Sequence, residues 1–252
     1  MFLDYQSMKQ IFSIHYFKPF FTYGEVMTIK KFSLCLMLCV LCINAYAQKL
    51  DINNNTISAG KLISDADAVK NALNVGAKMP SFKLKDANGK SVGSDDLLKQ
   101  ANLVVVFYRG SWCPFCNLYL RDLQKNLSQI KEAGGNLVAI SVENPDNSLS
   151  VAKKNELDFT VLSDPNLTVA RRFGIVYQMP TETAELYKSR GLDVAKHNAM
   201  EKAELPLSAT YIVNQKGKII YAFLESDYKK RAEPKVIIET LSKIKTSAVK
   251  KR

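Results

Sequence analysis

An unbroken apolar run at residues 103–108 is the feature that most constrains the fold of this 252-residue chain. The run reads Leu-Val-Val-Val-Phe-Tyr, rich in β-branched and aromatic side chains and without polar alternation. Such a run predicts a strand that is buried on both faces, as in a parallel or mixed sheet covered by helices. Gly110 and Ser111 end it, and the sequence Cys113-Pro-Phe-Cys116 follows. We therefore expect a buried strand that leads directly into a pair of thiols.

A helix is predicted after the first of these cysteines. Pro114 suits the first helical position because it lacks the amide hydrogen that this position leaves unpaired. Cys113 would then lie at the helix N-terminus, where unpaired N–H groups and the helix dipole favour a thiolate. Cys116 would lie one turn inside, close enough to form a reversible disulfide. The apolar positions that form one helical stripe are Cys116, Leu120, Leu123, Leu127 and Ile130.

Residues 27–47 have the three-part pattern of a secretory signal peptide. Two lysines precede an apolar core at residues 32–43, and a small-x-small cleavage site ends at Ala47. We expect cleavage there and an exported protein, periplasmic or extracellular, without stable membrane insertion. A membrane anchor is an alternative, but the core is shorter than the roughly 18 residues that a membrane-spanning helix needs. A lipoprotein is another, but leucine and not a small residue precedes each cysteine of the core.

The length of the chain fits one sizeable domain. We expect residues 1–26 to be an upstream extension, untranslated or outside the folded structure. Residues 48–75 are polar and predict a lead-in with one helix near residues 64–73. The main domain is expected at residues 76–246, and a basic tail at residues 247–252.

Charge and cysteine content disfavour several classes of function. Residues 1–47 carry two more cations than acids, so their removal lowers the net charge from +11 to about +9. The lysines are scattered and cluster only near the tail, which indicates a solvated surface and no nucleic-acid site. Cys113 and Cys116 would be the only cysteines left, and they are too close together to staple a loop, so a redox role is favoured. A zinc site would need two more ligands, and His197 is the only histidine that remains after removal of residues 1–47. We expect neither a metal nor a cofactor.

Strands and helices alternate through the main domain, which predicts an α/β fold with a parallel core. Residues 176–205 show no strand pattern and one helix near residues 182–188, so they are predicted to form an inserted segment before a final β-hairpin. Ser94 is expected to cap a short helix before the central strand. The predicted strands lie near residues 80–85, 103–108, 137–142, 159–162, 210–213 and 219–223, and the other predicted helices near residues 113–132, 147–155, 165–173 and from residue 233 onward.

The sequence resembles the alkyl hydroperoxide reductase/thiol-specific antioxidant superfamily, and within it the peroxiredoxin-like branch that carries Cys-x-x-Cys. The resemblance covers about residues 76–244 and implies a thioredoxin-like fold, with a central mixed sheet flanked by helices. It is carried by the Cys-Pro-Phe-Cys turn between strand and helix, by the late hairpin, and by short matching stretches at residues 76–82, 107–116, 162–165, 205–211 and 227–234.

The sequence departs from the peroxiredoxin pattern around the reactive cysteine. Peroxiredoxins resemble Pro-x-x-x-Thr-x-x-Cys here, and the last cysteine attacks peroxide. The match by position places Arg109 at the proline, Cys113 at the threonine and Cys116 at the peroxidatic cysteine. The peroxide-activating arginine of the family falls at Ser208, where thioredoxins and this branch commonly carry proline. Neither pattern is therefore complete.

Three arginines are candidates to replace the missing one by stabilising a thiolate or a developing alkoxide. They are Arg109, Arg121 and Arg231. A surface or structural role is the alternative for each of them.

Four further residues are candidates, and three of them have two interpretations each. Trp112 and Phe115 flank the first cysteine and would form either a substrate-contact surface or part of the core. His197 would be either an acid or base in the inserted segment or a solvated side chain. Glu143, just past a predicted strand, is a candidate proton shuttle.

Two enzymatic hypotheses and one non-enzymatic hypothesis remain open. In the first, which the resemblance favours, a Cys116 thiolate reduces hydrogen peroxide or an organic hydroperoxide, Cys113 condenses with the resulting sulfenic acid, and a thioredoxin-like dithiol reduces the disulfide. In the second, which the bare motif and the missing arginine favour, Cys113 attacks a protein disulfide and Cys116 resolves it. In the third, the fold is a binding module with an inert disulfide.

Overall fold

The computed structural model describes residues 63–249. The predicted extension and signal peptide, and with them the exported location, concern residues outside this part and stay predictions. The lead-in helix is present as α1 (Asp65–Asn71), and Ser64 caps it by accepting a hydrogen bond from the Asp67 amide at 3.1 Å. Across residues 63–249, no helix is long and apolar enough to cross a membrane.

In chain order, the strands of the described residues are β1 (Lys83–Asp86), β2 (Ser91–Gly93), β3 (Asn102–Phe107), β4 (Gly135–Ser141), β5 (Thr160–Ser163), β6 (Val176–Gln178), β7 (Glu204–Pro206), β8 (Thr210–Val213) and β9 (Ile219–Phe223). Seven of them form one mixed sheet, in the order β2-β1-β5-β4-β3-β8-β9, and β6 and β7 form a separate ribbon.

The strand predicted from the long apolar run is β3, and it lies inside the sheet. It pairs in parallel with β4, where Val105 lies opposite Val138, and antiparallel with β8, where Val105 lies opposite Tyr211. Its side chains are buried from Leu103 onward. Since β4 also pairs in parallel with β5, the predicted mixed α/β sheet is confirmed. The carboxyl ends of β3 and β4 therefore meet at one edge.

Helices cover both faces of this sheet. After α1, they are α2 (Ser94–Gln100), α3 (Pro114–Lys125), α4 (Leu127–Glu132), α5 (Pro145–Lys154), α6 (Thr168–Arg172), α7 (Thr181–Ser189), α8 (Val194–His197) and α9 (Pro234–Val249). A short 3₁₀ turn at Pro165–Leu167 precedes α6.

The long helix predicted after the cysteines is two helices. Asn126 separates α3 from α4 with φ of −100° and ψ of 5°, and its side-chain amide donates to the Asp122 carbonyl at 2.8 Å. A short amide side chain competes with the backbone for helical carbonyls, which interrupts a helix at little cost. The apolar stripe stays in register across the break, because Leu120, Leu123 and Ile130 are all fully buried.

Two other local expectations differ from the structure. Ser94 does not cap α2 but begins it, and its buried hydroxyl accepts a hydrogen bond from the Phe82 amide at 2.9 Å. The inserted segment also contains strands, because β6 and β7 pair antiparallel with Tyr177 opposite Leu205. Strands of three residues are too short to show an alternating pattern in the sequence.

The core divides into two apolar clusters, one on each face of the sheet. On one face, Phe107, Phe173 and Tyr211 make aromatic contacts, with ring centroids 5.0 and 5.1 Å apart for the two pairs that involve Phe173. On the other face, α3 and α9 pack on alternate residues of β3. Leu120 of α3 and Ile237 of α9 are fully buried there.

Replacing Leu120 by alanine should destabilise the protein by about 2–5 kcal/mol, because the truncated side chain leaves a cavity under α3. Leu118 belongs to the same helix but is 61% exposed, so Leu118→Ala should change stability by no more than about 0.5 kcal/mol. Urea unfolding of both variants measures the difference. Equal losses in the two variants would contradict the packing of α3.

Candidate active site

The two cysteines lie where the sequence predicts, at the N-terminus of α3. Cys113 is the N-cap residue and Pro114 follows at the first helical position. The Cys113 amide donates to the Gly110 carbonyl at 3.2 Å, which closes a tight turn between β3 and the helix. Both cysteines are free thiols and each is only 1% exposed. The disulfide between them therefore stays a prediction.

Arg231, from the loop between β9 and α9, contacts the second cysteine. Its Nη2 donates to the Cys116 sulfur at 3.4 Å. Its Nη1 donates to the backbone carbonyls of Tyr228 and Lys230, and the guanidinium lies 5.7 Å from the ring centre of Tyr119. Because backbone and aromatic contacts hold it from several sides, the cation is oriented toward the sulfur.

Arg109 lies in an aromatic enclosure at the end of β3. Its guanidinium carbon is 4.2 Å from the ring centre of Tyr228, 4.9 Å from that of Trp112 and 5.9 Å from that of Tyr187. The side chain is 3% exposed. Tyr187 belongs to α7, so the inserted segment forms part of this enclosure, and its ring also meets Trp112 edge-on at 5.8 Å.

The two thiols have opposite electrostatic surroundings. The pKa of Cys113 is lowered to about 6, first because the Cys116 thiol hydrogen-bonds to its sulfur and then because Arg109 is nearby, although burial opposes the shift. The pKa of Cys116 is raised, chiefly by burial and then by the adjacent Cys113 sulfur, and Arg231 opposes this shift. The reduced pair therefore holds one proton on Cys116 and a thiolate on Cys113 near neutral pH.

The other predicted residues differ in how near they come to the thiols. Ser208 is buried and lies at the same sheet edge, since the adjacent Ala209 carbonyl accepts from the Phe107 amide at 2.8 Å. Phe115 is partly exposed and packs edge-on against Tyr228, with ring centres 5.7 Å apart. Arg121 donates instead to Asn155 Oδ1 at 2.9 Å, which identifies a structural role on another face of α3.

A buried polar network on the other side of the turn includes residues that the sequence left ambiguous. Glu143 accepts two hydrogen bonds from Ser111, and its partner on the other side is His197, whose Nε2 lies 2.7 Å from Glu143 Oε1. His197 is thus a hydrogen-bond partner of a buried carboxylate and not a freely solvated side chain. Sequence reasoning missed Asn117, whose side-chain amide donates to the carbonyls of Ser111 and Cys113. The only sequence feature that could have identified Asn117 is its position as a polar residue next to the apolar stripe of the helix.

Within residues 63–249, no group of three or more histidine, cysteine, aspartate or glutamate side chains could hold a metal ion. The polar groups around the thiols are two guanidinium cations, one carboxylate and amides. This arrangement is suited to holding a thiolate and to stabilising negative charge that develops beside it.

The fold and the thiol pair define a class of protein, the thioredoxin-fold proteins with two cysteines at a helix N-terminus. Comparison with known families makes the assignment specific. The model of the AhpC/TSA family matches residues 75–222. The chain belongs to the AhpC/TSA family, and the resemblance inferred from the sequence is confirmed.

Individual relatives agree with this assignment. Peroxiredoxin Bcp of Escherichia coli (strain K12) is 33% identical over 105 residues, which cover 42% of this chain and 67% of that protein. Chloroplastic peroxiredoxin Q of Populus jackii is 29% identical over 161 residues, covering 62% of this chain and 65% of that protein. The crystal structure of peroxidoxin BcpB from Mycobacterium tuberculosis superposes with a TM-score of 0.56 at 19% identity, covering 68% of this chain and 98% of that one. This structural likeness confirms the thioredoxin-like fold.

Alkylation of Cys113 should titrate near pH 6, well below the value of about 8.5 for an ordinary cysteine, because only the thiolate reacts. Iodoacetamide labelling of the reduced protein across a pH series, read at the Cys113 peptide by mass spectrometry, measures the midpoint. Arg109→Met should raise the midpoint, since it removes a cation beside the thiolate. Arg121→Met, which removes a cation held by Asn155, should leave it unchanged. A wild-type midpoint near 8.5 would contradict the electrostatic assignment.

Proposed function

We propose that this protein is a thiol peroxidase that reduces hydrogen peroxide or an organic hydroperoxide through Cys116 and Cys113. The observation that carries the proposal is the contact of the Arg231 guanidinium with the Cys116 sulfur, one helical turn from a second thiol. A peroxidase needs a nucleophilic sulfur, a cation beside the oxygen that leaves, and a partner thiol to resolve the product. Membership in the AhpC/TSA family and the relatedness to peroxiredoxins support the same reaction.

The reaction begins with attack by the Cys116 sulfur on one peroxide oxygen. The O–O bond breaks, Cys116 becomes a sulfenic acid, and the departing oxygen leaves as an alcohol or water after it takes up a proton. Arg231 donates to the negative charge that develops on this oxygen. The Cys113 thiolate, next to Cys116, accepts the proton that Cys116 gives up.

The second half of the cycle forms and then reduces a disulfide. Cys113 attacks the sulfur of the Cys116 sulfenic acid, and a water molecule leaves. An external thioredoxin-like dithiol then transfers two electrons by thiol–disulfide exchange and restores both thiols. One peroxide and one dithiol are consumed in each turnover, and the attacking and resolving sulfurs belong to one chain.

A second candidate function is thiol–disulfide exchange with protein substrates. The lowered pKa of Cys113 favours it, because this sulfur is the thiolate at the helix N-terminus. In that reaction Cys113 attacks the substrate disulfide and Cys116 resolves the mixed disulfide. The two functions differ in which sulfur meets the oxidant first.

Trp112 is the only tryptophan, and its place beside Arg109 makes its fluorescence a reporter of thiol oxidation. Mixing the reduced protein with hydrogen peroxide in a stopped-flow instrument should give a fast second-order change in fluorescence. The change should survive in Cys113→Ser and vanish in Cys116→Ser. If only Cys113→Ser abolishes it, Cys113 is the nucleophile, and a rate no faster than that of an ordinary thiol would overturn the peroxidase proposal.

Arg231→Gln should slow the peroxide reaction by roughly a hundredfold, the order of loss seen when a donor to a developing oxyanion is removed. Arg121→Gln is the matched control, because it removes a cation from the same region without touching a sulfur, and it should react at the wild-type rate. The second-order rate constants from the same instrument give the comparison. An unchanged rate in Arg231→Gln would exclude this arginine from the reaction.

A further inference from the structure

The sheet edge that carries the thiols also carries a fully buried carboxylate. Glu143 follows the end of β4 by two residues and is 0% exposed. Because β3 and β4 are parallel neighbours, with Phe107 opposite Ile140, Glu143 lies beside the turn that connects β3 to α3. Burying a carboxylate costs free energy unless its oxygens are paired. The residues that pair with Glu143 therefore indicate its role.

All the partners of this carboxylate belong to the redox turn or to the inserted segment. Its Oε2 accepts a hydrogen bond from the Ser111 amide nitrogen at 2.7 Å, and its Oε1 accepts one from the Ser111 hydroxyl oxygen at 2.6 Å. Nε2 of His197, from α8, lies within hydrogen-bond distance of the same Oε1, at 2.7 Å. Glu143 therefore ties Ser111 to the inserted segment.

Ser111 is held on its other side as well. Its carbonyl accepts from the side-chain amide of Asn117 at 2.7 Å, and the same amide donates to the Cys113 carbonyl at 3.0 Å. Glu143 and Trp112 both lie close to the backbone of the turn at Gly110. A Cβ atom added there would lie 3.2 Å from the Glu143 carboxyl carbon and 2.5 Å from Trp112 Nε1. Ser111 is thus held at its amide, its hydroxyl and its carbonyl, two residues before Cys113.

We propose that Glu143 is a positioning residue, which through Ser111 sets the backbone that places Cys113 at the helix N-terminus and beside Arg109. The proposal rests on the redox role of Cys113 and Cys116 in the function proposed above. A fixed negative charge near a thiolate would by itself disfavour that thiolate. The positioning role and a direct charge effect therefore predict opposite changes when the carboxylate is removed.

The reduction potential of the Cys113–Cys116 pair distinguishes the two effects. Loss of the positioning contacts destabilises the thiolate, which makes the pair more reducing. We expect Glu143→Ala to shift the equilibrium with a dithiol buffer about tenfold toward the disulfide, about 30 mV more negative for a two-electron couple. Glu143→Gln keeps the length of the side chain and one acceptor oxygen, so its potential should lie between those of Glu143→Ala and the wild type. Hydrogen exchange of the Ser111 amide should be faster in Glu143→Ala.

Asp164→Ala is the matched control for simple destabilisation. Asp164 is another buried carboxylate that binds backbone amides, those of Val169 and Ala170 in α6, so its loss costs stability away from the redox turn. We expect the wild-type potential in this variant. A rise or no change in the potential of Glu143→Ala, or an equal fall in Asp164→Ala, would overturn the proposal.

His197→Ala provides a second route if Glu143→Ala does not fold. It leaves the carboxylate in place and removes the partner that orients it, so we expect a smaller fall in potential and faster exchange at Ser111. No change in either quantity would overturn the proposal. These measurements need no peroxide, so a failure of the peroxidase assay and a failure of the positioning role remain distinguishable.

Discussion

The parallel pairing of β3 with β4 is the constraint on which the rest of the structure depends. It brings the carboxyl ends of both strands to one edge of the sheet, so the turn that follows β3 lies beside the residues that follow β4. The antiparallel β8 begins at the same edge, because Thr210 lies opposite Val106. Residues far apart in the sequence thus surround one helix N-terminus, and the apolar run that forms β3 is what fixes this geometry.

Two arginines lie at this edge of the sheet, although the family's arginine position carries a serine. Ser208 stands at the position of that arginine, whereas the Arg231 guanidinium contacts the Cys116 sulfur and the Arg109 charge lowers the pKa of Cys113. Arg231 comes from the loop before α9 and lies against the Tyr119 ring and two backbone carbonyls. Arg109 comes from the end of β3 and lies among aromatic rings. Among the residues that the structure describes, neither guanidinium forms an ion pair with a carboxylate, so neither positive charge is neutralised by direct pairing.

Much of the fold follows from local pattern, whereas the site follows from contacts that no local pattern encodes. The long apolar run predicted β3, and the late hairpin has the predicted bounds of β8 and β9. The pairing of β6 with β7 joins residues almost thirty positions apart in strands of three residues, which leaves no periodic signal. The sequence singles out the cysteines because their spacing and the strand and helix around them are local features. The partners of Glu143 and the choice among three arginines depend on how loops meet at the sheet edge, and the sequence gives no distances.

The burial of both sulfurs bears on the two candidate reactions. Each cysteine is only 1% exposed, and Tyr187 of the inserted segment together with Tyr228 encloses the arginine beside them. A peroxide has a small reactive end and needs only a narrow opening to reach a sulfur. A protein disulfide is attached to two segments of backbone, and an in-line attack on it requires the thiolate to stand clear of its surroundings. The reduced structure therefore favours a small oxidant, even though the electrostatics place the thiolate on the cysteine that disulfide exchange would use.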